Sequence, residues 1–367
     1  MEKKAAVCFG DLGTVECIGE PVSQLISEGL LIEVFLDPKG AGKKHLTRLG
    51  IPFIEATEID VSRYALVISG TNGKAQTLWK NASAAALKAG KPVIWCGDFY
   101  MSGCEAAVRD LVPTWLTTLD ESGRKLALRA RPDLGPDSVV ALGNASYDDI
   151  AEYGKNRVAI CAQMRSRLNL PSDARIVYFA ASSSNQFDKT EMEATIDALV
   201  GSVKHLFPPA YILGSFHPAD PEKDELEGMM RDLLDRADIG HTIGERVMSG
   251  VPDFVGADVA VVQYSTEGVK SSLIIPTAFV LLPSMRYYQR TRGGRWPFFP
   301  QIAVGAAEAV WHVDAFDSTL ERMFEGEDGY FTAMGEACAE HFSGLMDGCS
   351  TNRLKMFLKA QIKAYTK

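Results

Sequence analysis

The chain predicts an α/β protein of two Rossmann-like domains facing a cleft, and three observations carry that expectation. Short runs rich in Val, Ile and Phe alternate with helix-like stretches, the alternation restarts in the second half, and polar clusters follow directly on several of the apolar runs. A strand buried on both faces reads as a continuous apolar run, and its first polar residues emerge at the carboxyl edge of a parallel sheet, where such folds bind ligands.

The first half begins with KAAVCFG (4–10), LIEVFL (31–36), YALVIS (64–69) and PVIWC (92–96) as strands. Helix-like stretches at 19–29 and 74–90 separate them, which is the rhythm of right-handed βαβ units. The same rhythm resumes at 175–181, 210–213, 258–262 and 277–282, with helices expected at 188–206, 221–237, 267–275 and 302–313. Between the halves GNASYDDIAEY (143–153) leads into a polar helix, which places a first domain at 1–155 and a second at 156–346. The last segment, 347–367, carries TNRLKMFLKAQIKAY (351–365). Its apolar residues stand at helical spacing with no strand before them, so a C-terminal helix crossing back to the first domain is expected.

Composition bounds the chemistry. The 367 residues are 46% hydrophobic and 23% charged, enough for two packed cores. A net charge of −9 argues against a nucleic-acid partner held through phosphate neutralisation and favours a small molecule. The seven cysteines are odd in number, form no C-x-x-C pair and lie mostly in apolar segments, as reduced core thiols of a cytoplasmic protein do. No stretch approaches transmembrane length, so membrane contact is expected only from the surface.

The motifs FGDLGT (9–14), ISGTNG (68–73), GNASYDD (143–149), the pair His217-Pro218, ADVAVVQYSTEG (257–268) and DGCSTNRLKMFL (347–358) resemble, in order, those of GT-B-type glycosyltransferases. That broad group also contains sugar-nucleotide 2-epimerases and CDP-glycerol and sialic-acid transferases. The resemblance implies that the second domain binds a nucleotide and the first an acceptor. It implies that His217 approaches the nucleotide or its phosphate, and that Ser265 and Thr266 hold the diphosphate. The donor is then UDP-linked or CMP/CDP-linked, and the acceptor a glycan, a lipid-linked molecule or a small molecule. YSTEG stands where 2-epimerases carry a TDSGG-type segment in acidic and arginine-rich surroundings. A sugar-nucleotide hydrolase or 2-epimerase, and a non-catalytic nucleotide-sugar-binding subunit, are the alternatives.

Nucleotide contacts are expected within 214–218 and 263–268, at Gly214, His217, Pro218, Tyr264, Ser265, Thr266, Glu267 and Gly268. Ser265 and Thr266 can offer an N-cap hydroxyl and free N–H groups to a phosphate, against the simpler reading of an ordinary cap. Pro218 holds His217 extended at a strand end, where an imidazole suits a leaving-group oxygen. The base for an inverting transfer is sought in the first domain. Asp11, in GDLGTVE, and Asp98, in WCGDFYMSG, are rivals for it, with a capping aspartate as the bland alternative for the former. Phe99 and Tyr100 are placed as a sugar-stacking wall. ISGTNGK (68–74) lacks the first glycine and the hydroxyl of a P-loop, and DPKGAGKKH (37–45) fails the same pattern. The Arg- and aromatic-rich stretch 283–300 reads either as a clamp on a leaving diphosphate or as a basic surface loop. No cluster has metal-ligand spacing, so no metal and no cofactor beyond the donor is expected. A homodimer and a peripheral membrane contact stay open.

Overall fold

A computed structural model of the chain describes residues 4–71, 77–182, 189–217, 220–263, 265–282, 299–325 and 330–366. The contacts divide it into two units. The first runs to Asp149 and is rejoined from Gly344 onward, and the second takes up most of the chain between.

The first unit is a seven-stranded, wholly parallel sheet with strand order β3-β2-β1-β4-β5-β6-β7. Its strands are β1 (Lys4–Phe9), β2 (Ile32–Leu36), β3 (Ile54–Glu55), β4 (Tyr64–Thr71), β5 (Val93–Gly97), β6 (Trp115–Thr118) and β7 (Val139–Ala141). The helices are α1 (Leu12–Ser27), α2 (Lys43–Arg48), α3 (Thr77–Lys88) and α4 (Glu121–Ala130). Strands proceed outward from β1 in one direction and from β4 in the other, so the order reverses between β1 and β4. This is the topological switch point. Five of the six residues of β1 are buried, which is why the run is apolar without alternation.

Helix α1 starts seven residues before the sequence suggests. Gly13, Gly19 and Pro21 hide its periodicity, but Asp11 and Thr14 form a capping box that fixes its start, and Val15, Ile18, Val22 and Leu25 bury its inner face. Gly70 on β4 is required by closeness. A Cβ there would stand 2.3 Å from Thr14 Cβ, so helix and strand could not approach as they do.

The second unit opens with α5 (Asp149–Arg167) and carries a six-stranded parallel sheet ordered β10-β9-β8-β11-β12-β13. The strands are β8 (Arg175–Ala180), β9 (Ala210–Ser215), β10 (Gly240–Ile243), β11 (Val259–Val262), β12 (Thr277–Val280) and β13 (Glu308–Val310). The helices are α6 (Lys189–Leu206), α7 (Lys223–Ala237), α8 (Thr266–Ser272), α9 (Pro300–Ala303), α10 (Phe316–Glu325) and α11 (Tyr330–Met346). The switch point here lies between β8 and β11. The helix expected over 302–313 is not formed. Gly305, at φ +77°, follows the single turn of α9, and Glu308–Val310 instead joins the sheet edge beside β12.

The C-terminal helix α12 (Ser350–Tyr365) belongs to the first unit. Leu354, Leu358 and Ile362, spaced four residues apart, are buried in the same core as α1 and β1. Each such burial is worth about 1.5–3 kcal/mol. Lys355 and Lys359 also reach Glu28 at 3.4 and 2.5 Å, but these pairs lie in solvent, so the apolar face dominates.

Candidate functional site

Four strands of the first sheet each deliver an aspartate within two residues of their carboxyl ends: Asp11 after β1, Asp37 after β2, Asp98 after β5 and Asp120 after β6. Asp37 is buried and holds backbone, its carboxylate accepting from the Lys39 and Leu78 amides at 3.0 and 3.1 Å. Asp11 caps α1, its Oδ1 accepting from the Thr14 amide at 3.3 Å. Asp98 Oδ1 accepts from the Ser102 hydroxyl at 2.8 Å, and the Asp98 carbonyl accepts from Asn144 Nδ2 at 3.0 Å, which ties the ends of β5 and β7 together.

Gly13 brings the Asp11 and Asp98 carboxylates together. A Cβ on it would lie 2.7 Å from Asp98 Oδ2 and 3.6 Å from Asp11 Oδ1, so both acidic side chains flank one backbone position in the first turn of α1. The positive end of the helix favours negative charge there. Both aspartates are half-buried, which leaves them reachable by a substrate hydroxyl.

Asp120 lies deeper. It is 7% exposed, its Oδ2 accepts from the Tyr100 hydroxyl at 2.5 Å and its Oδ1 from the Gly123 amide at 2.7 Å. Burial raises its pKa above the usual carboxylate range, against the lowering effect of the Tyr100 hydrogen bond. Tyr147 is fully buried near Asp120 and Asp98. Burial and then those two carboxylates hold its hydroxyl well above its ordinary pKa, so it stays protonated. The thiols nearby are equally inert: Cys96 is pushed up to about 12 by burial, and Cys17 well above its usual value.

One sequence expectation is corrected here. Phe99 and Tyr100 form no stacking wall, since they are 7% and 1% exposed and the Tyr100 hydroxyl is spent on Asp120. Sequence reasoning misses Asp120, although like Asp98 it lies just past a strand of the sheet. The run WLTTL (115–119) is short and half polar, so it does not read as a strand.

In the second unit, Gly214 is buried in β9, where a Cβ would meet Ile243 at 2.5 Å, and its carbonyl accepts from the Gly244 amide at 2.9 Å. His217 follows β9 and is half-buried, its carbonyl accepting from the Asp220 amide at 2.9 Å. Ser265 is the N-cap of α8, its Oγ accepting from the Glu267 amide at 3.2 Å, and Thr266 beside it is exposed. Glu267 accepts a hydrogen bond from the buried Tyr178 hydroxyl, and burial first, then Glu267, holds that phenol well above its usual pKa. Gly268 is a packing glycine, with Val262 and Phe279 at 2.5 and 2.6 Å from where a Cβ would be. Pro218, Tyr264, residues 72–74 of the ISGTNGK segment and residues 283–298 of the arginine-rich stretch lie outside the described residues. Phe299, at the end of that stretch, is buried and stacks on Phe279 at 4.1 Å between centroids.

Among the described residues no group of three or more His, Cys, Asp or Glu is placed to hold a metal ion, and no helix is long and apolar enough to cross a membrane.

No protein-family model matches the chain, and neither does any curated protein. Solved structures match it over almost its whole length. A UDP-GlcNAc 2-epimerase from Neisseria meningitidis, solved with UDP-GlcNAc, superposes with a TM-score of 0.66 at 14% identity, covering 98% of this chain and 100% of its own. A glycosyltransferase from Rickettsia africae gives a TM-score of 0.61 at 11% identity, with 100% of both chains covered. HepE of Anabaena, solved in complex with UDP, gives 0.60 at 10% identity, covering 98% of this chain and 100% of its own. Two parallel sheets flanked by helices, in this order, are the GT-B fold, and the chain shares that fold with these proteins.

Proposed function

We propose that the chain is a metal-independent glycosyltransferase that moves a sugar from a UDP-, CMP- or CDP-linked donor to a hydroxyl acceptor in surface-glycan or glycoconjugate synthesis. The observation that carries this reading is the closeness of the Asp11 and Asp98 carboxylates to Gly13, at the carboxyl edge of the first sheet. Fold neighbours solved with UDP-GlcNAc and with UDP support the choice of a nucleotide-linked substrate.

In this reaction the acceptor oxygen bonds to the anomeric carbon as the bond from that carbon to the nucleotide phosphate breaks. The electron pair leaves on the phosphate, and the acceptor proton passes to a carboxylate, Asp11 or Asp98. At the carboxyl edge of the second sheet, Ser265, Thr266 and the adjoining amides of α8 receive the phosphates, and His217 donates to the departing oxygen. Tyr264, Pro218 and Gly214 complete that nucleotide contact, and Glu267 and Gly268 shape the start of α8.

One observation favours a second reading. Two carboxylates on one spot suit removal and return of a proton as well as they suit a single base, as a 2-epimerase would need, and one fold neighbour is a UDP-GlcNAc 2-epimerase. The test is to incubate the protein with UDP-GlcNAc and with a CMP- or CDP-linked donor, with and without an acceptor mixture, in chelator. Nucleotide release that requires acceptor supports transfer. Release without acceptor, or conversion to a second sugar nucleotide, supports the hydrolase or epimerase. Binding of nucleotide in thermal-shift assays with no turnover of any donor leaves a non-catalytic binding subunit.

A further inference from the structure

Gln263 is the first residue past β11 and is completely buried. Its backbone amide donates to the Ala180 carbonyl of β8 at 3.0 Å, the last rung of the parallel ladder between those strands. Its side chain then adds one more rung: Oε1 accepts from the Ser182 backbone amide at 2.8 Å. Only a carbonyl oxygen can accept there, so the orientation of the amide is fixed by its partner. The other end of the same group, Nε2, belongs to a residue just past the carboxyl end of β11.

Nε2 has no hydrogen-bond partner among the described residues. A buried donor without an acceptor costs about 1–3 kcal/mol, so such a group in a fully packed position calls for something that accepts from it. Its position is informative: it stands at the switch point of the second sheet, two residues before Ser265, whose hydroxyl caps α8.

We infer that Gln263 is a ligand-binding residue whose Nε2 donates to a phosphate oxygen of a nucleoside diphosphate held at the β8–β11 switch point. The inference rests on the nucleotide reading above and gives that site a neutral, oriented donor beside the hydroxyl of Ser265. A diphosphate can accept from a fixed amide without a cation. An amide already anchored by Ser182 loses little freedom on binding, so its hydrogen bond is not offset by ordering.

Calorimetric titration of UDP and CDP into the wild type, Gln263→Glu and Gln263→Met tests it. Glutamate keeps an acceptor for the Ser182 amide but replaces the donor by a negative charge. Methionine keeps the length and removes both polar ends. Both substitutions are expected to weaken UDP or CDP binding roughly ten- to hundredfold, the range set by one hydrogen bond to a charged group. With Gln263→Met, the ligand-free unfolding midpoint should fall by no more than a few degrees, because the bond that the Ser182 amide donates is lost while the buried Nε2 donor is removed, a net loss of about one hydrogen bond. Wild-type affinity in both variants overturns the inference, and a lowered midpoint with unchanged affinity makes Gln263 an internal cross-link only. A wild type that binds neither UDP nor CDP overturns the nucleotide reading itself. Should both variants fail to fold, side-chain amide NMR of the wild type decides: a buried glutamine amide that shifts on adding UDP supports the contact, and no such shift removes it.

Discussion

Gly13 in the first turn of α1 and Asp98 past the end of β5 stand so close that a single added methyl group would lie 2.7 Å from the carboxylate oxygen. The glycine is what lets this acidic side chain reach the turn already capped by Asp11.

Replacing Gly13 by alanine separates stability from chemistry. In a helix alanine is ordinarily favoured over glycine by about 0.5–1 kcal/mol. Here the gain is offset by the collision, and Asp98 has to swing away. The expected outcome is an unfolding midpoint within a few degrees of wild type and a fall in nucleotide-releasing activity of about tenfold or more, since small misplacements of a reacting group are costly. In an Asp98→Ala background the same substitution should raise the midpoint. Calorimetric scans of the double-mutant cycle measure this.

Asp11 has two roles that two substitutions can part. Asparagine caps a helix as well as aspartate does, whereas alanine costs about 1 kcal/mol. Asp11→Asn is therefore expected to keep the stability of wild type and, if Asp11 is the base, to lose at least a hundredfold in turnover. Asp11→Ala should lose stability in addition. Full activity of Asp11→Asn together with a loss on Asp98→Asn assigns the proton to Asp98.

Asp148 caps a helix that begins 202 residues later. Its carboxylate oxygens accept from the backbone amides of Ser350 and Thr351 at 2.7 and 2.8 Å, and the nearby Arg353 reaches the Leu142 carbonyl at 3.1 Å. Asp148→Ala should lower stability by about 1–2 kcal/mol, a cap lost to alanine. Limited proteolysis is expected to cut within 350–366 earlier than in wild type. Leu354, Leu358 and Ile362 remain buried, so the helix should loosen at its start before it detaches.

Asp253 sets a pH dependence. Burial raises its pKa from 3.8 to about 6, while the Val247 amide and the nearby Arg246 lower it and Glu267 raises it. Between those two values the folded protein holds a proton that the unfolded chain has released, so stability falls as pH rises through the window and then levels off. Asp253→Asn still accepts from the Val247 amide and carries no charge to desolvate. The variant should unfold at a higher temperature than wild type at pH 7.5 and at nearly the same temperature at pH 4. Equal midpoints at both values would refute the shift.

The strand core was legible because parallel strands buried on both faces are apolar without interruption, as in KAAVCF and RIVYFA. Alternation of these runs with helical stretches determined the two Rossmann-like halves and their carboxyl edges, hence the neighbourhoods of Asp11, Asp98, His217 and Ser265. Short strands such as Trp115–Thr118 and Gly240–Ile243 escaped, because four residues mixing polar with apolar side chains form no continuous apolar run, although Trp, Thr and Ile favour extended backbone and pairing with the sheet holds them there. Tertiary structure alone decided that Asp11 and Asp98, rivals along the chain, flank the same glycine, and that Tyr100 turns inward to hold Asp120. It also decided that Gln263 has one amide end bound and the other without a partner among the described residues. Hydrophobic periodicity specifies which face of an element is buried. Which polar ends meet at a sheet edge depends on strand order and helix approach, and no local spacing encodes those.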